Sequence, residues 1–334
     1  MNHRLGVGAS VALSVWGLGC GGHVDGEGAE PGVVAGLEVP QTNPLPRCTD
    51  GILAPADRPP SQPRELVRVS RAATVAVDDT DVFFASAPSD FGAAHLQSVP
   101  KNGGAARPLA PTMAYELVVD DDLLYLGSGG GELATMGKRG GALRYGLGEQ
   151  VFSFALDRTY VFTADLGSGA IQRIRKDRTG QPVTLAQGRA PQGIAVRGNW
   201  VYWANYISKN IARAPVDGGE AEIIEQFSDY TRMVVVDCNY IYIAVGNYGD
   251  SVWRKPLQGG PATLFARVGG TLRIDAESLY VQSSNATWRV SLATGKLSSL
   301  GKGHGGGGGY PSPLTLDDDA VYWTNGEAVV RADK

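Results

Sequence analysis

The sequence has little charge and few histidines, and each shortage argues against a class of function. Only 19% of the 334 residues are charged, and the net charge is −4. Because Lys and Arg form no block or stripe, nucleic acid is not expected as a partner. After the first twenty residues no apolar run is long enough to span a membrane as a helix.

Catalytic side chains are scarce as well. Beyond residue 63 the only histidines are His95 and His304, whereas a Ser-His-Asp set needs a positioned base and a zinc site needs about three protein ligands. The glycine-rich segment 301–313 contains no G-x-x-x-x-G-K-[ST] phosphate loop. We therefore predict no catalytic residue, no metal and no cofactor.

Helical periodicity is also absent from residues 64–334, which argues against a parallel α/β fold. Glycine is abundant instead, at 46 residues, with short bursts of Val, Tyr, Thr and Trp between the glycines. This pattern is typical of many strands joined by tight turns.

One phrase recurs about every 40 residues. It consists of an apolar strand, usually an Asp, a short turn and a second apolar-aromatic strand, as in VVDCNYIYI and TLDDDAVYW. The anchor positions are Asp78, Asp120, Asp157, Arg197, Asp237, Asp275 and Asp317. Their spacings of 42, 37, 40, 40, 38 and 42 residues indicate a repeat architecture.

Each unit continues with a third strand that ends in Arg, a turn such as KNGG or VDGG, and a short fourth strand. Gly pairs suit hairpins because their central residues need positive φ. Four antiparallel strands in 40 residues form the blade of a β-propeller. Seven units predict an all-β, seven-bladed β-propeller over residues 64–334.

The ring is expected to close through its ends. The seventh unit lacks a fourth strand, and RELVRVS at residues 64–70 is an alternating strand without a unit of its own. We predict that Leu66, Val67 and Val69 belong to the missing outer strand of the last blade, which would remove an exposed sheet edge.

Two repeated residue types have a structural interpretation. The Arg that ends the third strand is expected to pair with a carboxylate or carbonyl of a neighbouring blade. The acidic runs DDTD at 78, DDD at 120 and DDD at 317 could bind calcium. We favour Asx turns, in which the carboxylate accepts backbone N–H groups.

A family resemblance accompanies these motifs. The phrases VYWAN (201–205) and VYWTN (321–325), the Asp before the second strand and the I-x-R third strand resemble YWTD and NHL-type propeller repeats. The resemblance covers about 270 residues, from 64 to 334. It implies a propeller that serves as a binding platform, as most such families do, with a minority of enzymes.

The N-terminal segment reads as a targeting signal. Leu5 to Gly19 are apolar or small, and the following GLGC resembles the lipobox of bacterial lipoproteins, with Cys20 as the lipidated residue. An ordinary secretory signal cleaved nearby is the alternative. Residue Gly21 is not Asp, which by the same resemblance indicates the outer membrane. Residues 21–63, rich in Gly and Pro, are expected to form a disordered tether.

Cys48 in the tether and Cys238 in the first turn of blade 5 are expected on the same, bottom face of the ring. An exported protein is in a compartment where disulfides persist, so we predict a Cys48–Cys238 bridge, with two unpaired thiols as the alternative. The bottom would then face the membrane, and the top face would point away from it.

Top-face loops carry the candidate binding residues. They are Asp165, Asn205, Tyr206, Asn247, Tyr248, Asn285 and Asn325. Tyr and Asn provide contact area and adaptable hydrogen bonds in binding loops, although Asn is also a common turn residue.

These patterns predict a monomeric, lipid-anchored propeller of the cell envelope. Its top face would bind an envelope protein or a small ligand. The alternative is a hydrolase or lyase acting on a sugar or lactone with a metal at the channel mouth.

Overall fold

The structure is a computed structural model that describes residues 61–87, 94–128, 131–247, 250–303 and 313–334. The predicted signal, most of the tether, Cys20, Cys48, Tyr248 and His304 lie outside the described residues. In the described residues no helix is long and apolar enough to cross a membrane.

The described strands form seven antiparallel sheets, one for each sequence repeat. Blade 1 contains β2 (Ala72–Val77), β3 (Asp81–Ser86), β4 (His95–Pro100) and β5 (Arg107–Ala110). Blade 2 contains β6 (Glu116–Val119), β7 (Leu123–Gly127) and β8 (Ala134–Gly137). Blade 3 contains β9 (Val151–Leu156), β10 (Tyr160–Asp165), β11 (Ala170–Arg175) and β12 (Val183–Gln187).

Blades 4 to 7 follow the same order. Blade 4 contains β13 (Pro191–Arg197), β14 (Trp200–Asn205), β15 (Asn210–Pro215) and β16 (Glu222–Gln226). Blade 5 contains β17 (Thr231–Val236), β18 (Tyr240–Val245), β19 (Ser251–Pro256) and β20 (Thr263–Ala266). Blade 6 contains β21 (Thr271–Ile274), β22 (Ser278–Gln282), β23 (Ala286–Ser291) and β24 (Leu297–Lys302). Blade 7 contains β25 (Leu314–Leu316), β26 (Ala320–Thr324), β27 (Ala328–Asp333) and β1 (Arg64–Arg68).

The predicted closure of the ring is confirmed. β1 pairs antiparallel with β27, with Arg64 opposite Arg331 and Val67 opposite Val329. Leu66 is buried in one cluster with Tyr322 of blade 7 and Phe84 of blade 1. The protein is thus an all-β, seven-bladed β-propeller whose N-terminal strand completes the last blade.

Blade 2 departs from the four-stranded pattern. In the position of the fourth strand, the chain forms only an isolated β-bridge between Thr135 and Arg144. Gly146 and Gly148, both at positive φ, follow that bridge and turn the chain away from an extended strand. The Arg178 guanidinium of blade 3 donates to the carbonyl oxygens of Arg144 and Tyr145, so these groups are satisfied without a ladder.

The core is distributed over the contacts between blades. Within the described residues, seven clusters of buried apolar side chains each join two neighbouring blades. The second strand supplies the largest buried side chains, because both of its faces are covered. Tyr322 and Trp323 of the VYWTN phrase are fully buried, and the Trp323 indole donates to the Lys302 carbonyl at 3.0 Å. The phrase is therefore structural.

The anchor aspartates form the predicted Asx turns. In six repeats one carboxylate oxygen accepts two backbone N–H groups of the following turn; the residues are Asp78, Asp120, Asp157, Asp237, Asp275 and Asp317. In six of the blades these turns connect the first strand to the second.

Four anchors also bind the lysine that directly follows the third strand of the next blade around the ring. The pairs are Lys138–Asp78, Lys176–Asp120, Lys334–Asp275 and Lys101–Asp317. In three of them the same carboxylate accepts a tyrosine hydroxyl from its own second strand, at 2.8 to 3.1 Å. We call each such Lys–Asp pair a blade latch.

The recurring arginine also connects blades. Arg173 of blade 3 donates to the Val216 carbonyl at 2.7 Å and to Asp217 at 2.8 Å in blade 4. Arg331 of blade 7 donates to the Lys101 carbonyl at 3.1 Å in blade 1. The structural interpretation of these arginines is confirmed at both positions.

Candidate functional site

Three of the predicted site residues shape their own turns. The Asp165 carboxylate accepts the backbone N–H of Ser168 at 2.8 Å. The Asn325 side chain accepts the N–H groups of Glu327 and Ala328. Asn285 is exposed, and its side-chain oxygen accepts the Ser284 hydroxyl at 3.4 Å. These residues belong to blades 3, 7 and 6, and the structure does not bring them together with the others.

Asn205 is buried at the end of β14. Its side-chain oxygen accepts the Arg189 N–H at 2.9 Å, and its amide nitrogen donates to Asn210 at 2.8 Å. Its own carbonyl accepts the Thr231 hydroxyl of blade 5 at 3.0 Å. These bonds make Asn205 a structural residue at the blade 4–5 contact.

Tyr206 and Asn247 do meet, across the top of blades 4 and 5. The Tyr206 hydroxyl donates to the Asn247 side-chain oxygen at 2.9 Å. The Tyr206 ring stacks on the Tyr230 ring with centroids 4.3 Å apart and an interplanar angle of 11°. Stacking and the Asn247 hydrogen bond restrict the orientation of the Tyr206 ring.

A cation lies over each of these rings. The Arg232 guanidinium is 5.0 Å from the Tyr206 centroid, and the Lys209 ammonium is 5.0 Å from the Tyr230 centroid. Arg232 also donates to the Asn247 carbonyl, and Lys209 donates to the Ser228 carbonyl. Ile207, in the same loop, is 59% exposed. We call Tyr206, Ile207, Lys209, Tyr230, Arg232 and Asn247 the blade 4–5 patch.

Sequence reasoning missed four members of this patch, among them Ile207 in the loop after β14. Lys209 ends the loop after β14, and Tyr230 and Arg232 lie in and just after the link from β16 to β17. Blade topology could have indicated these residues from the sequence. The link between two blades lies on the same top face as the loop between the second and third strands. The run SDYTR at 228–232 would then have been read together with NYISK at 205–209.

Lys209 has a strained backbone. Its φ is 55°, in the left-handed region, whereas Gly169 occupies the corresponding position of blade 3 at φ 77°. A side chain in this conformation costs roughly 1 kcal/mol relative to glycine. Blade 4 therefore places a cation beside the tyrosines where the backbone favours glycine.

A second polar feature lies in the central channel. A cavity of about 110 Å³ is lined by residues from all seven innermost strands. Most of these residues are aliphatic, but Glu116 of β6 and Arg273 of β21 also line it. Glu116 stands four residues before the anchor of its repeat and Arg273 two residues before, both at positions that face the channel in the period-2 pattern. Aligning the first strands by their anchors would have revealed these two charges.

The environment of Glu116 perturbs its titration. The side chain is only 4% exposed, and burial raises its pKa to about 8. The charge of Arg273 and the backbone N–H of Phe154, 3.2 Å away, oppose that rise. Burial in turn lowers the pKa of Arg273, and the Glu116 charge opposes that change. The two charges therefore interact in the channel.

Solved structures resemble this chain over most of its length. A streptogramin B lyase structure has a TM-score of 0.64 at 12% identity and covers 82% of this chain and 98% of its own. The WD40 β-propeller domain of Doa1 has a TM-score of 0.62 at 13% identity, covering 82% and 97%. PorZ, a surface component of the type-IX secretion system of Porphyromonas gingivalis, has a TM-score of 0.58 at 10% identity, covering 80% and 37%.

At these identities the likeness shows the fold alone. No protein-family model and no curated protein matches the sequence. Any more specific function has to be argued from the chain's own residues.

Proposed function

We propose that this propeller is a binding module of the cell envelope that docks a partner protein on the blade 4–5 patch. The observation that carries the proposal is the stacked pair Tyr206–Tyr230, with a cation over each ring and Ile207 exposed beside it. Tyr and Arg are enriched among the residues that contribute most to protein interfaces.

Pre-organisation supports the same proposal. The Tyr206 side chain is held by the Tyr230 ring and by Asn247, so ordering it on binding costs little side-chain entropy. The strained backbone of Lys209 is a second sign, because strain that the fold does not need occurs often at binding sites.

A protein is the favoured partner because of the shape of the patch. Small molecules bind mainly in concave pockets that cover most of their surface. The patch instead presents half-buried rings and an exposed aliphatic side chain on an outer face, which suits a protein surface with complementary apolar and acceptor groups.

The membrane attachment is a separate part of the proposal. The sequence GLGC supports lipidation of Cys20, and a lipid there would hold the propeller at the outer membrane. Labelling cells with an alkyne fatty acid should mark the wild-type protein and not a Cys20→Ser variant. A Cys20→Ser variant that is labelled as strongly as the wild type would contradict the anchor.

Photo-cross-linking tests the docking surface. We expect a benzophenone amino acid at position 207 to capture one envelope protein in intact cells. The matched control is position 223, where Ile is 64% exposed near the start of β16 and does not belong to the blade 4–5 patch. Capture of the same protein from both positions would disprove the assignment of the patch.

Two variants separate binding from folding. Lys209→Gly removes the cation and the backbone strain together, so we expect a change in the free energy of unfolding within about 1 kcal/mol. Cross-linking from position 207 should fall at least fivefold in Lys209→Gly and in Tyr206→Ala. Undiminished capture in both folded variants would contradict the proposal.

Metal content tests the alternative function. Stoichiometric calcium or zinc in the purified protein would favour the hydrolase or lyase.

A further inference from the structure

The two cations of the blade 4–5 patch bind carbonyl oxygens rather than carboxylates. The Lys209 ammonium donates to the Ser228 carbonyl at 3.0 Å, and the Arg232 Nε donates to the Asn247 carbonyl. Among the described residues, neither side chain forms an ion pair. Both are half-buried, so the chain itself leaves two partly desolvated positive charges without a counter-charge.

Cations at other blade contacts do have such partners. Lys255 binds Glu225 at 2.9 Å across the same two blades, and each blade latch pairs a lysine with an aspartate. Asp229, the carboxylate nearest to Arg232 in the sequence, is exposed and accepts a backbone N–H at 2.7 Å. Because an unpaired, partly buried cation is unfavourable, a carboxylate from outside the chain would be stabilised at this patch.

The patch also retains hydrogen-bond donors. An ammonium group has three N–H donors and a guanidinium has five. Each cation gives one bond to a carbonyl, which leaves further donors on Lys209 and on both terminal nitrogens of Arg232. The Arg232 guanidinium lies over the Tyr206 ring. A guanidinium beside a ring still presents edge N–H groups whose spacing matches the two oxygens of a carboxylate.

We propose that the blade 4–5 patch binds an acidic peptide segment of its partner, with carboxylates on Arg232 and Lys209 and an aliphatic side chain against Ile207. This inference rests on the proposed function, because it assigns the chemistry of the segment that docks on the same patch. Carboxylates form short, charge-assisted bonds with both cations, and bidentate pairing with a guanidinium adds geometric specificity. The exposed Ile207 side chain supplies the apolar contact.

The overall charge of the chain does not produce this preference. The net charge is −4, so the molecule as a whole repels an acidic ligand. Attraction has to come from nearby cations, because exposed charges more than about 10 Å apart are largely screened at roughly 0.1 M salt. Binding of an acidic segment should therefore depend on Lys209 and Arg232 and should weaken as salt is added.

Two peptide probes test the ligand class on the purified wild-type protein. They are Glu-Leu-Glu-Leu-Glu and Gln-Leu-Gln-Leu-Gln, both acetylated and carrying the same neutral dye, so that they differ only in charge. Fluorescence anisotropy measures their binding. We expect the acidic peptide to bind about tenfold more tightly, and its Kd to rise about threefold or more between roughly 50 and 300 mM NaCl. Equal affinities for the two peptides, or no binding of the acidic one, would overturn the proposal.

Variants assign the charges. Arg232→Gln and Lys209→Gln should each weaken binding of the acidic peptide about fivefold or more and reduce its salt dependence, because each removes one cation. Arg232→Lys keeps the charge and loses the planar fork, so it should bind more weakly than the wild type with the same salt dependence. The control is Lys302→Gln, which removes an exposed cation of blade 6 and should leave binding unchanged.

Urea unfolding shows whether each variant is folded, and the comparison of the two peptides on the wild type needs no variant. Unchanged binding in both folded Gln variants would sink the assignment of the two cations. An equal loss in Lys302→Gln would show that the peptide responds to general surface charge, which also contradicts the proposal.

The cross-linking experiment separates this inference from the proposed function. If position 207 captures one envelope protein and neither Arg232→Gln nor added salt reduces that capture, the patch docks a partner that is not acidic and only this inference is wrong. If position 207 captures no specific protein, the proposed function is wrong. Binding of phosphatidylglycerol vesicles without binding of the acidic peptide would assign the cations to a membrane surface and overturn this inference.

Discussion

At the scale of single residues, an anchor aspartate can both stabilise its own turn and bind a lysine of the next blade. In blade 2, Asp120 holds the turn through backbone N–H groups and joins blade 3 through Lys176. Burial works to raise the pKa of Asp120, but the Leu123 N–H, Lys176 and the Tyr125 hydroxyl together lower it. Its stabilising contribution is therefore present above the unfolded-state pKa and is lost as the pH falls through the lower folded-state value.

Removing a latch cation should destabilise the fold. In Lys176→Met we expect the free energy of unfolding to fall by about 1–2 kcal/mol, because the Lys176 and Asp120 side chains are only 16% and 15% exposed. Urea unfolding at pH 7 measures this change. The control is Lys302→Met, whose pair with Glu327 is 58% and 75% exposed and should contribute less than about 0.5 kcal/mol. Equal losses in the two variants would show that the latch has no special role.

Glu116 should make stability fall with rising pH. Its folded pKa of about 8 exceeds the ordinary value of 4.5, so the folded state holds the proton more tightly. This contribution is complete below pH 4.5 and is lost as the pH rises through about 8. We expect the free energy of unfolding to decline between pH 5 and pH 8 in the wild type and less steeply in Glu116→Gln. Parallel curves for the two proteins would refute the assigned shift.

At the scale of elements, β1 is the strand whose place in the sequence and place in the fold differ most. It pairs with β27 and covers part of the contact between blades 7 and 1 through Leu66. All of its backbone pairing is with the last repeat. We therefore expect β1 to contribute to the stability of blade 7, although it comes first in the chain.

Truncating Leu66 should therefore weaken the closure. Leu66→Ala is expected to lower the free energy of unfolding by about 2–4 kcal/mol, because the side chain is buried and leaves a cavity. Ile223→Ala, on the outer strand of blade 4, should change it by less than about 0.5 kcal/mol because Ile223 is exposed. Denaturant titration of both variants compares the two strands, and a small effect of Leu66→Ala would mean that β1 contributes little to stability.

Elements set by local chemistry are the ones that the sequence predicts. Each Asp turn depends on one carboxylate and on backbone N–H groups two and three residues later. The recurring Asp was therefore enough to predict these turns. The isolated bridge in the fourth position of blade 2 has no such local signal, because the Arg144 carbonyl there is bound by Arg178, 34 positions away.

The candidate site shows the same limit. Tyr206 and Asn247 were predicted from their loops, but their contact with Tyr230 and Arg232 arises between blades. The channel pair Glu116 and Arg273 comes from blades 2 and 6, and no spacing along the chain indicates that the two charges share a cavity.

At the scale of the whole molecule, the core is spread around the ring, and the part of the chain that the structure describes has one apolar cluster at each of the seven blade contacts. No blade buries its faces alone, so stability depends on the ring being complete. Without β1, the backbone N–H and C=O groups along one edge of β27 would have no pairing strand and would be exposed.

A chain that lacks residues 1–69 tests this dependence. We expect it to lose about 3 kcal/mol or more of stability and to associate through the edge of β27, as measured by urea unfolding and light scattering. A chain that lacks only residues 1–60 keeps β1 and should remain monomeric. A stable monomer without residues 1–69 would show that closure by β1 is dispensable.

The predicted Cys48–Cys238 bridge would add a covalent tie to this ring. Cys238 lies in the turn after Asp237, next to the Arg197 guanidinium at 2.9 Å, and Cys48 lies outside the described residues. Thiol titration of the denatured, exported protein should find neither cysteine reactive. Detection of both thiols would rule the bridge out.

The pairing of β1 with β27 also imposes an order of events on synthesis. Arg64 lies opposite Arg331, a separation of 331 − 64 = 267 positions. A ribosome therefore delivers the closing strand first and its partner last. Throughout elongation the finished blades can form only an open arc, and the chain must carry β1 unpaired until the final repeat is released. Pairings this distant in the chain are slow to form, so closure of the ring is expected to be the last and slowest step, well after individual blades have folded.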